Sequence, residues 1–229
     1  MSFDIARTPT LEIVATQDEV LLTQGLQART QEAITRAESD AEVREAAAAH
    51  SVAQSRLEAL KKAERELNRV VAGARAHIET AGQGVTDALI ESAASGAGPD
   101  FGDVSSLALA ELQCRYAGRA IERIIEHLIP VAEITVLREE SHALIVRARA
   151  LERIAQERAE KVLGRLREAA SEEVVLPVDL SKGVAGALLA QARDFKQHAI
   201  KLSETADQLE RAYADRHRAA TSSAHRSEI

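Results

Sequence analysis

The chain has 229 residues, a net charge of −7, 2% aromatic residues and no tryptophan. Compact cores draw much of their buried area from aromatic rings, so this composition excludes an ordinary globule. With only 11 glycines and four prolines beside abundant Ala, Glu, Arg and Leu, it is instead the composition of long helices and coiled coils. Acid and base are interspersed, which removes the basic face that nucleic-acid binding needs.

In chain order, residues Met1 to Pro9 carry no apolar stretch of the kind a secretory signal requires. Leu11-Glu12-Ile13-Val14-Ala15 is rich in β-formers. Thr16 is placed as an N-cap, with Glu19 completing a capping box, so the sequence predicts helix 1 over about 17–94. Within it, Ala53, Leu57, Leu60, Glu64, Leu67, Val71, Ala74, Ile78, Ala81, Val85, Ala88 and Ser92 recur at alternating steps of four and three. That spacing draws a narrow seam along one side of a helix, which only a partner helix covers. Gly82 and Gly84 do not interrupt the register.

Residues 95–103, containing Ser95-Gly96-Ala97-Gly98-Pro99, read as a hairpin loop; no strand precedes these glycines and no Lys-Ser/Thr follows, so they are not a phosphate loop. Asp103 or Ser105 then caps helix 2, predicted over about 104–171, with Pro130 kinking it. Its later half repeats the seam at Leu137, Ser141, Leu144, Ala148, Leu151, Ala155, Arg158 and Val162. Two long helices joined by one short loop form an antiparallel hairpin. The connector 172–180 contains Val174-Val175-Leu176-Pro177-Val178, which hairpin geometry brings to Leu11–Ala15 for a short strand pairing. Helix 3 follows over about 181–218, striped by Val184, Leu188, Ala192, Phe195, Ala199, Leu202, Ala206, Leu209 and Tyr213. A tail occupies 219–229; its one arginine, Arg226, with Arg211, Arg216 and Arg218 before it, reads as part of a solvated helix end. The expected fold is all-α: an elongated antiparallel coiled-coil hairpin, a single unit, with the shorter third helix packed on one half.

The earlier half of helix 2 is apolar on more than one side: Leu107, Leu109, Leu112, Tyr116, Ile121, Ile124, Ile125, Leu128, Ile129, Val131 and Ile134. One partner helix does not bury all of these, and exposed apolar area of that extent marks an interface. Leu112, Tyr116, Ile121, Ile124, Ile125, Leu128 and Ile129 are the candidate interface residues, and a homodimer is the expected state. The alternative is a local fold-back of this region around Pro130.

Chemistry-bearing residues are sparse. Cys114 is alone, so no disulfide forms within the chain, and it reads as a small core residue. Glu139-Glu140-Ser141-His142 holds one Glu-x-x-His motif, whereas a di-metal bundle site needs two. The seven histidines (50, 77, 127, 142, 198, 217 and 225) match no nucleophile motif. Glu64 and Arg158 stand at seam positions; hairpin register sets position 64 opposite about 134 and offers Asp40 to Arg158. No catalytic, cofactor or metal residue is assigned. No run approaches the ~18 apolar residues of a membrane span, which favours a cytoplasmic protein. Only six of the 29 basic residues are lysine, as fits a GC-rich bacterial genome. The resulting expectation is a non-catalytic scaffolding or adaptor protein that binds itself or another helical protein, with no nucleic-acid partner. A membrane-active helical bundle is the second reading, with residues Ile121 to Val136 as the inserting segment, and a helical metal enzyme is the third.

Overall fold

A computed structural model describes the backbone of residues 9–96, 102–169 and 183–226; side chains are described from residue 24 onward within these, apart from 102–103, 166–167, 169 and 219–226. Every regular element among the described residues is helical, so the fold is all-α. The helices are α1 (Pro9–Glu38), α2 (Ala41–Ser95), α3 (Gly102–Arg123), a π-helical turn (Ile124–Leu128), α4 (Ile129–Ala169) and α5 (Val184–Arg226).

Three boundaries differ from expectation, each for a local reason. The first helix begins at Pro9, not after Thr16. A proline's fixed φ and missing N–H suit the first helical position, and nothing behind it breaks the turn. Leu11–Ala15 is therefore helical and pairs as no strand, while Val174–Val178 lies outside the described residues. The expected single helix over 17–94 is interrupted at Ser39 and Asp40. There the Asp40 carboxylate accepts the Glu42 backbone N–H at 3.0 Å, capping α2, and the Ser39 hydroxyl bonds back to the Thr35 carbonyl at 2.8 Å. The last helix continues past 218 to Arg226, through much of the expected tail. At the other end of α2, Gly96 takes φ +70°, the left-handed conformation that terminates helices with least cost at glycine. The loop and connector residues 97–101 and 170–182 lie outside the described residues.

Pro130 is accommodated rather than disruptive. Its ring would clash with the carbonyl four residues back, and its nitrogen donates nothing. The π turn immediately before it widens the ladder, with the Ile129 N–H bonded to the Ile124 carbonyl. The chain thus remains helical from Gly102 to Ala169.

The helices group into two compact units. The first comprises residues 1–50 and 138–204. Its core is mainly alanine: Ala33, Ala37, Ala148, Ala155, Ala192 and Ala199 are all at most 1% exposed, around Leu151 and Leu188, the largest side chains fully buried. Short side chains let helix axes approach closely. The Ser141 hydroxyl exploits that approach, donating to the Ala199 carbonyl of α5 at 2.9 Å. Antiparallel order follows from two contacts, Arg36 with Glu157 and Asp40 with Arg153, and Glu38 reaches along the helix to Arg147. On α5, Lys196 meets Glu152 at 2.6 Å, and Arg147 lies over the Phe195 ring, 4.8 Å from its centre. Asp40 is thus engaged by Arg153, one and a half turns from the Arg158 that register alone suggested.

The second unit comprises residues 51–137 and 205–229. Here α2 runs antiparallel to α3 and the start of α4. Lys61 pairs with Glu133 at 3.1 Å, the Cys114 thiol points at the Val71 carbonyl at 3.8 Å, and His77 Nε2 lies 3.4 Å from Ser106 Oγ. The α2 seam behaves as its spacing predicts. Ala53, Val71 and Ala74 are buried and the other seam positions partly buried, save Ala88, whereas nearly every intervening residue is exposed.

Candidate functional site

The facing seam is Leu107, Ala110, Cys114, Ala117 and Ile121 on α3 and Ile124 at the start of the π turn, a three-four repeat matching that of α2. Ala110, Ala117 and Ile124 are buried and the other three partly buried. These residues hold α3 to α2 and are spent on the fold. Cys114 is one of them, which agrees with its reading as a small core residue.

That seam divides the seven candidate interface residues. Ile124 is 8% exposed and Ile121 and Ile129 are partly buried, so these three do not present a free apolar face. Leu112, Tyr116, Ile125 and Leu128 are exposed, at 46%, 64%, 47% and 38%. Leu109, at 59%, joins them. Leu109, Leu112 and Tyr116 follow steps of three and four, which places them in one row on α3, turned away from the α2 seam. Leu128, the last residue of the π turn, and Val131 on α4 continue an exposed apolar row, while Ile125 stands off it. An aromatic ring and two leucines set side by side in water lose burial that a partner would restore. Arg115 and Glu122 are both exposed and seven residues apart, hence on the same flank of the row.

The other residues singled out from sequence take ordinary places. Ser141 of the Glu139–His142 motif is buried in a helix contact, His142 is exposed, and no group of three or more metal-ligating side chains occurs among the described residues. Glu64 and Arg158 are partly buried at the edges of their seams. No described helix is long and apolar enough to cross a membrane.

One cluster had no sequence signal. His127, on the π turn, and His217, on α5, are ninety positions apart, yet His127 Nδ1 lies 3.0 Å from His217 Nε2. Their rings stack with centres 4.6 Å apart, and Tyr213 stands edge-on to His217 with its hydroxyl 3.5 Å from His127 Nδ1. Only the pairing of the end of α5 with the π turn creates this group, and neither residue sits in a motif.

Comparisons of the chain with protein-family models, with curated proteins and with solved structures find no match.

Proposed function

We propose that this protein is a non-catalytic scaffold or adaptor that acts through helical surfaces, and that it self-associates through the apolar row of α3. The observation carrying this reading is the exposure of Leu109, Leu112 and Tyr116 on one face while the α2–α3 seam is already filled. Helix-in-groove recognition uses rows of this kind, with apolar anchors for affinity and flanking charges for register. A second copy lying antiparallel brings each Arg115 beside the other copy's Glu122, a reciprocal pairing that suits a two-fold interface.

The test is the mass in solution of the wild-type chain and of a Leu112→Glu/Tyr116→Ser variant, by size-exclusion chromatography with light scattering. The reading expects a dimer for the former and a monomer of unchanged helicity for the latter. Equal masses would remove the α3 row as the interface.

A further inference from the structure

After Ala206, the described side chains of α5 are exposed except Tyr213, Ala214 and His217, which are partly buried. Two of those three meet His127 of the π turn. His217 Nε2 lies 3.0 Å from His127 Nδ1, and the Tyr213 hydroxyl lies 3.5 Å from the same nitrogen. The end of α5 thus depends on one imidazole for its hold on the π turn. We propose that this contact is an acid-sensitive latch, closed at neutral pH and opened when both rings are charged, which frees the last turns of α5.

The closed contact needs one nitrogen that accepts. A neutral imidazole carries one N–H donor and one acceptor nitrogen, whereas a charged one carries two donors. Two neutral rings therefore share a hydrogen bond, and a charged ring still donates to a neutral one. Two charged rings set N–H against N–H, and like charges this close repel. The open form can hold one proton more than the closed form, so closure weakens as pH falls. Imidazole is the side chain that ordinarily changes charge between about pH 5 and 8.

The surrounding charges do not offset a second cation. Glu126 and Arg216 line the hollow of about 420 Å³ around the two rings and Tyr213. From α3, Arg119, Glu122 and Arg123 line a second hollow with His127. From α2, Arg56 lines a third with His127 and Tyr213, to which α4 brings only Val131, Ala132 and Thr135. Four arginines thus stand against two glutamates. Asp215, the next carboxylate on α5, is engaged by Arg218 at 3.0 Å. The π turn places the latch: it offsets His127 from its position in a regular helix, and such turns recur at functional sites.

The experiment takes the full-length protein from about pH 8 to about pH 5, across the histidine range. NMR reads the histidine ring signals, and amide exchange corrected for intrinsic rates reads residues 207–218. Protection of 207–218 should fall at least about tenfold as the second of the His127 and His217 rings takes its proton. The α2–α3 seam at Val71 and Cys114 should stay protected. His217→Gln keeps a donor and an acceptor that do not titrate in this range, and should hold the protection at both ends of it. Both rings charged with 207–218 still fully protected would overturn the latch in the wild-type protein alone. So would an acid loss of protection that persists unchanged in His217→Gln.

Discussion

Replacement of Leu188 by alanine isolates what the alanine-rich core of the first unit is worth. Leu188 is 0% exposed, and its nearest company in the core includes Ala185 and Ala192, too short to close a gap. Removing three buried carbons loses about 2.4 kcal/mol of transfer free energy. A residual cavity of ~40 Å³ adds about 1 kcal/mol, because helix backbones do not collapse to fill it. The expected loss is therefore about 3.4 kcal/mol, or roughly 7–14 °C in Tm for a chain of this size. Urea unfolding followed at 222 nm measures it, with Leu188→Met as a volume-conserving control expected to cost under about 1.5 kcal/mol. A loss below about 1 kcal/mol for Leu188→Ala would refute the claim that α5 is held by full burial of this side chain.

Three further outcomes follow from local geometry. Asp40→Ala removes the cap of α2 and should cost about 1 kcal/mol in urea unfolding, whereas Asp40→Asn, which still caps, should retain most of that; the exposed ion pair with Arg153 contributes little. Gly96→Ala should cost about 1–2 kcal/mol by the same assay, because φ +70° is strained for any side chain. Gly73→Ala should raise stability by about 0.5–1 kcal/mol, since the glycine lies inside α2 and an added methyl meets open space.

The helical character of the fold was readable because its signals are periodic and local. The α2 seam and the α5 stripe from Leu188 to Ala206 face the core at the spacing the residues announce. The interruption at Ser39 and Asp40 was also written locally, as an Asp two residues before Glu42, but an alanine-rich stretch on either side masked it. The candidate interface was half readable. Apolar content picked out Leu112 and Tyr116, yet content alone does not separate them from Ile121 and Ile124, which differ only in facing the α2 seam. The π turn adds an offset that no sequence period reveals, so faces before and after it cannot be joined by counting. His127 and His217 were unreadable as a pair because their meeting depends on the register of two helices ninety residues apart.

The central claim is that the α3 row is covered by a second copy of this chain, and sedimentation equilibrium of the wild-type protein at micromolar concentration tests it most directly. The account predicts twice the 24.7 kDa chain mass, falling toward a single chain on dilution. A single-chain mass throughout the micromolar range would contradict it.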